Sequence, residues 1–127
     1  MTRTSARSGS PYETTIGFSR AVRVGSTIAV SGTAPVWPDG SVDPDPAVQA
    51  RRCWEIMLAA LEELGGSVDD VVRTRQYLVS ADDADVVGAV HGEVFRGVQP
   101  ASTMLVVAAL LDPRWRVEME LDAVLGG

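Results

Sequence analysis

Near the C-terminal end, the stretch VEMELDAV (residues 117–124) spaces Glu118, Glu120 and Asp122 two residues apart. In a strand, that spacing sends all three carboxylates to one face and Val117, Met119, Leu121 and Ala123 to the other. Carboxylates in a row repel one another unless water, a cation or a ligand attends them. Such a face is a solvated surface, a subunit contact or an acid–base site, and periodicity alone does not choose. His91 is the only histidine and the one side chain here that ordinarily titrates near neutrality. In AVHGEVF it stands at the margin of a helical apolar stripe, either a satisfied boundary residue or a pocket acid or base. Cys53, the sole cysteine, has no internal disulfide partner and no histidine near it in sequence, so it reads as an inert thiol. A single histidine excludes a His-cluster metal site. Zinc spacing, a Gly-rich phosphate loop and a GxSxG elbow are all missing, so the sequence implies neither metal nor organic cofactor.

The elements that must position these groups follow from local pattern. AVRVG and TIAVSG are two β-rich runs around Gly25–Ser26, the mark of a tight hairpin. PVWPDGSVDPDP cannot continue either regular structure. Asp45 then caps a helix with Pro46 at its first position. Ala50, Trp54, Met57, Leu58, Leu61 and Leu64 form its stripe, and Gly65–Gly66 ends it. VVRTRQYLV is a third strand, with Arg73, Arg75 and Tyr77 on one face and Thr74, Gln76 and Leu78 on the other. A second helix runs from about residue 82 to 95, burying Val87, Val90 and Val94, and Glu93 on it reads as solvated. TMLVVAALL and RVEMELDAV close the chain around the turn DPRW. The order ββ-α-β-α-ββ predicts an α+β sandwich, one sheet with both helices on one face. Residues 1–15 read as a flexible polar lead-in and 16–127 as a single domain.

With 127 residues, 11 basic against 17 acidic, the chain carries a formal net charge of -6. An acidic body without a basic stripe is a poor partner for nucleic acid. No apolar run reaches the roughly 20 residues of a membrane span. A lone cysteine and no signal-peptide core fit a reducing, cytoplasmic setting.

GFSRAVRVGSTIAVSGTAPV near the start, LEELGGSVDDVVRTRQYLV in the middle and PASTMLVVAALLDPRWRVEMELDAV at the end resemble the Rid family, the reactive intermediate deaminases also called the YjgF family. The resemblance runs from Gly17 to Val124. It implies a chorismate-mutase-like fold and a homotrimer with sheets facing inward and clefts between subunits. It also implies hydrolysis of enamines and imines such as 2-aminoacrylate to ketones and ammonia. Glu118 of VEME matches the family's cleft glutamate, which orients water or ligand. Ser31 and Gly32 match its SG, with Thr33 beside them. Phe18 stands where an aromatic, often tyrosine, lines the pocket, and Gly88 stands where deaminating members have asparagine.

The largest departure is in QPASTM: deaminating members read P-A-R, and here the arginine that grips a substrate carboxylate is Ser102. A desolvated Arg–carboxylate contact is worth about 1.5–3 kcal/mol. The expected chemistry is therefore at a C=N bond of a small molecule other than 2-aminoacrylate. Glu118 and His91 are its candidate catalytic groups. Phe18, Ser31, Gly32, Thr33, Ser102, Thr103 and Trp115 are expected to bind substrate, with Ser102 and Thr103 replacing the arginine and Trp115 forming a cleft wall or subunit contact. Two other readings stay open: non-hydrolytic acid–base chemistry such as cyclisation, tautomerisation or deprotection, and a non-catalytic ligand-binding trimer. Some members are described as ribonucleases, which the acidity of this chain opposes.

Overall fold

The structure is a computed structural model that describes residues 2–126. Six strands form one mixed sheet: β1 (Arg3–Ala6), β2 (Ala21–Val24), β3 (Thr27–Thr33), β4 (Val71–Leu78), β5 (Ala101–Val106) and β6 (Val117–Val124). Their order is β1-β2-β3-β6-β4-β5, antiparallel except for β4 and β5, which run parallel. Helix α1 (Pro46–Glu63) packs on β3 and β6, and α2 (Ala84–Phe95) is the crossover between the parallel pair and packs against α1.

Local chemistry starts and stops these elements where the sequence indicates. Val24 and Thr27 close the hairpin across Gly25–Ser26, with Gly25 at φ +61°, a conformation glycine adopts without steric cost. The Asp45 side chain accepts from the backbone N–H of Ala47 (2.8 Å) and Val48 (3.4 Å), so two amides with no helical partner are satisfied. At the other end of α1, Gly65 takes φ +93° and the Arg23 guanidinium donates to the Leu64 carbonyl at 2.8 Å. A Cβ on Gly65 would sit 2.8 Å from that same guanidinium nitrogen.

The core lies between the helices and one sheet face. Ala50, Cys53, Trp54, Met57 and Leu61 of α1 meet Val87, Val90 and Phe95 of α2 over Val117, Met119, Leu121 and Ala123 of β6. A fully buried side chain such as Met119 or Leu121 contributes about 1.5–3 kcal/mol by leaving water. Cys53 is fully buried and its thiol is pushed well above its ordinary range by that burial, as suits a packing residue.

The structure corrects two expectations. The loose lead-in is instead built into the fold. Arg3–Ala6 pairs antiparallel with β2, and a π-helical turn follows at Glu13–Gly17. The anchor there is Glu13, only 1 % exposed, which accepts from the Ser8 backbone N–H and hydroxyl. Burial works to raise the Glu13 carboxyl, but the Ser8 bonds hold it below its ordinary value. Strand β5 is also shorter and earlier than TMLVVAALL suggests. Its partner β4 ends at Leu78, opposite Val106, and after one last bond from Val107 N–H to the Leu78 carbonyl the chain has no strand to follow.

Replacing Asp45 with Ala should destabilise the fold by about 1 kcal/mol, with Asp45→Asn close to wild type. Urea denaturation followed by far-UV circular dichroism measures both.

Candidate functional site

Alternation in β6 holds. Val117, Met119, Leu121 and Ala123 are buried, while Glu118, Glu120 and Asp122 occupy the face away from the helices. Register then fixes their neighbours: Glu118 lies opposite Tyr77, Glu120 opposite Arg75 and Asp122 opposite Arg73. The Arg75 guanidinium bridges two of the acids, at 3.8 Å from Glu120 and 3.3 Å from Asp122. The Tyr77 hydroxyl donates to Glu120, and that bond is the main reason its proton is held above the usual phenol range. Two of the three carboxylates are thus spoken for on a half-exposed face.

Glu118 is different. One of its oxygens occupies the space beside Gly32, where a Cβ would lie 2.6 Å from it. Burial is the main influence on its proton affinity and raises it above the ordinary carboxylate value. Arg20 opposes that rise and Glu120 adds to it. Arg20 is 8 % exposed, and one terminal nitrogen donates to the Gly32 carbonyl (2.9 Å) and the Thr33 hydroxyl (3.0 Å). Its Nε is buried without a partner, and the Phe18 ring lies 5.4 Å from its guanidinium carbon. Burial pulls the guanidinium below its usual value while Glu13 and Glu118 pull it back up. An arginine so placed stays charged.

These contacts sort the expected binding residues. Phe18, Gly32 and Glu118 gather around Arg20. The Ser31 hydroxyl is committed to the Ser19 carbonyl at 2.7 Å. The Thr33 side chain is buried, receiving Arg20 and donating to the Ser31 carbonyl at 2.8 Å. Both shape the strand end around Gly32 through their own backbone bonds. Trp115 sits half-buried in the turn before β6, which Gln49 pins to α1 through the carbonyl of Arg114 (3.0 Å) and the N–H of Arg116 (2.7 Å).

A second group lies on the opposite face. Ser102 of β5 is opposite Thr74 of β4, both on the helix side, whereas Thr103 is opposite Arg75 on the carboxylate side. Strand alternation therefore separates Ser102 from Thr103. The Thr74 hydroxyl is 2.8 Å from Ser102 Oγ and 2.8 Å from His91 Nε2. His91 stacks among Trp54 (5.5 Å between centroids, T-shaped) and Phe95 (4.7 Å), and burial lowers its proton affinity.

Ser102 and Glu118 are not brought together within one chain. They are three residues apart along the strands and two strands apart across the sheet, or about 14 Å between backbones at ordinary strand spacings. Their faces are opposite as well. A groove of about 680 Å³ between residues 6–8 and α1 touches Arg20 and Arg52 but none of Glu118, His91 or Ser102. Among the described residues no group of histidine, cysteine or acidic side chains could hold a metal ion, and no helix is long and apolar enough to cross a membrane.

The fold agrees with that of known proteins the chain matches. A family model described as Endoribonuclease L-PSP matches residues 9–125. The chain belongs to the YjgF/Rid family. An uncharacterized protein of Streptomyces coelicolor is 37% identical over 121 residues, covering 94% of this chain and 90% of that protein. The 2-iminobutanoate/2-iminopropanoate deaminase of Escherichia coli is 32% identical over 129 residues, covering 98% and 97%. The crystal structure of Rv2704 from Mycobacterium tuberculosis, a protein of the YjgF/YER057c/UK114 family, superposes with a TM-score of 0.90 at 37% identity over 98% of this chain and 100% of that one.

Sequence reasoning missed Arg20, Tyr77, Thr74 and Gln76 as members of these clusters. Two of them left a signal. Alternation already placed Thr74 and Gln76 toward the helices, and polar residues at core-facing positions need partners.

The raised proton affinity of Glu118 has a consequence for stability. The folded state holds that proton more tightly than the unfolded chain, so wild type loses stability relative to Glu118→Gln as pH rises. The loss runs from the ordinary value of 4.5 up through the raised folded value. Urea melts of both proteins at about pH 4 and pH 8 should show the difference moving in favour of Glu118→Gln at the higher pH.

Proposed function

We propose that this YjgF/Rid protein hydrolyses the carbon–nitrogen double bond of a small imine, or of an enamine's imine tautomer, without a carboxylate group, in clefts between the subunits of a homotrimer. The observation that carries the reading is Glu118: a half-buried carboxyl of raised proton affinity, seated against Gly32 beside a buried arginine. A group of that kind gives and takes protons nearer neutrality than an exposed glutamate does. In the proposed reaction its ionised form draws a proton from water as the water adds to the carbon of the protonated C=N group. Glu118 then gives that proton to the carbinolamine nitrogen, and ammonia leaves as the hydroxyl loses its proton to solvent and becomes the carbonyl. Backbone groups around Gly32 and the apolar Phe18 ring confine the substrate.

The substrate class rests on Ser102. The relative from Escherichia coli is named for 2-iminobutanoate and 2-iminopropanoate, both of which carry a carboxylate. A serine hydroxyl in place of the arginine forfeits about one to two orders of magnitude in affinity for such an anion. A neutral or larger imine has no carboxylate to leave unpaired. Assembly is supported by the separation of Glu118 and Ser102: a cleft using both must draw them from two chains. Sheets facing inward would also cover the face that carries Arg75, Tyr77 and the half-exposed acids.

Ammonia release should be followed with 2-aminoacrylate generated in situ and with a panel of alkyl and aryl imines. The expected result is slow turnover of 2-aminoacrylate and faster turnover of a carboxylate-free imine, rising with pH through the raised Glu118 value. Glu118→Gln should lower that activity by about 100-fold. Gly32→Ala should also lower it, since the new Cβ displaces the carboxylate end, with little change in melting temperature. Robust turnover of 2-aminoacrylate would overturn the substrate class, and full activity of Glu118→Gln would overturn the role of that residue. A monomer mass by light scattering at micromolar concentration would overturn the cleft.

A further inference from the structure

Of the polar group on the helix side of the sheet only Ser102 enters the cleft as drawn, yet the hydrogen bonds behind it form an unbroken line. Thr74 is fully buried between β5 and β6, and Oγ1 meets His91 Nε2 and Ser102 Oγ at 2.8 Å each. A threonine hydroxyl has a single proton to donate. When it donates to Ser102, it must accept from a protonated Nε2 of His91. Gln76, 2 % exposed, also donates to Ser102 Oγ at 3.4 Å, while its own Oε1 is buried without a partner. With both lone pairs of Ser102 met from inside, its own proton is left for something outside. Ser102 lies on an edge strand and is exposed.

We propose that Ser102, Thr74 and His91 form a proton relay, a second acid–base centre apart from Glu118. Its outlet is the Ser102 hydroxyl at the open sheet edge, and the ligand group it serves is a hydrogen-bond acceptor such as an imine nitrogen or a carbonyl oxygen. In the delivering direction His91 is an imidazolium. The Ser102 proton passes to the acceptor, the Thr74 proton to Ser102, and the Nε2 proton of His91 to Thr74, leaving neutral imidazole protonated at Nδ1. Three bonds to hydrogen break and three form. With the hydroxyls turned inward the same line carries a proton from a bound group to His91.

The surroundings of His91 suit that role. Facing its ring are Trp54 from α1, Phe95 from α2 and the Thr74 hydroxyl from β4. Among the described residues no charged side chain contributes to its shift, and burial alone moves it toward the neutral form. An imidazolium there is a stronger acid than one in water and releases its proton readily. The relay shares with the proposed hydrolysis Ser102 and the need for a proton at the departing nitrogen. Its test reads His91 directly and stands or falls whatever the substrate proves to be.

As the only histidine, His91 gives one imidazole signal whose pH titration NMR follows in the intact protein. Wild type should titrate below 6.5. Thr74→Val removes the acceptor that supports the imidazolium and should lower the midpoint by about half a unit to one unit. Thr74→Ser should restore it. The deciding variant is Ser102→Ala, at an exposed position that does not touch the ring. Without Ser102 to accept from it, the Thr74 hydroxyl favours turning toward Nε2, so the midpoint should fall in the wild-type background. In the Thr74→Val background Ser102→Ala should produce no further shift. An unmoved midpoint in Ser102→Ala would overturn the relay, as would an equal shift with Thr74 already replaced. If Thr74→Val fails to fold, Ser102→Ala alone still decides.

Discussion

Strand β6 is hydrogen-bonded on both sides, to β3 and to β4, and it carries an apolar residue at every second position of Val117–Ala123. Sliding it by one residue would bury Glu118, Glu120 and Asp122 under the helices and expose Met119 and Leu121. The cost of burying three carboxylates without partners exceeds anything the rest of the fold could recover. That register is therefore pinned, and the register of β4 and β3 with it. Once pinned, Tyr77 and Arg75 must face the acids, and the end of β3 must pass over Glu118.

Glycine at position 32 completes that arrangement. The strand pairing of β3 and β6 shifts between Val30 and Thr33, and the Glu118 carboxylate takes up the room that a side chain on residue 32 would fill. Arg20 reaches the same strand end from just before β2 and ties down the Gly32 carbonyl and the Thr33 hydroxyl. A buried cation thus stands near Glu118 while burial works against its charge. The balance falls on the side of holding the proton.

The helix side of the sheet shows how a core tolerates polar residues. Thr74 and Gln76 share a face with Leu78 beneath α1 and α2; Thr74 meets both the edge residue Ser102 and His91, and the Gln76 amide donates to Ser102. A guanidinium at position 102 would bring a fixed charge to this line; serine adds none and joins it to the strand edge. The two faces of one sheet consequently hold two different chemistries, a row of carboxylates with Arg75 among them and a hydrogen-bonded line ending on His91. Strand alternation keeps them apart more surely than distance does.

The sequence by itself determined the elements, because each is written in local rules. These are the Asp45–Pro46 start of α1, the Gly25–Ser26 turn, the period of two in VEMELDAV, and the family motifs around Gly32 and Glu118. It also determined that Glu118 and Tyr77 belong to polar faces and that Thr74 and Gln76 point inward. It did not determine that residues 3–6 join the sheet, since RTSA has no apolar alternation and gains its place only by pairing with β2. Nor could it join Arg20 to Glu118 or His91 to Thr74 and Ser102, because those meetings depend on which strands neighbour one another. Strand order is a non-local choice made by packing two helices over one face. Only the tertiary structure reveals that residues far apart in the chain share a face, and that adjacent ones such as Ser102 and Thr103 do not.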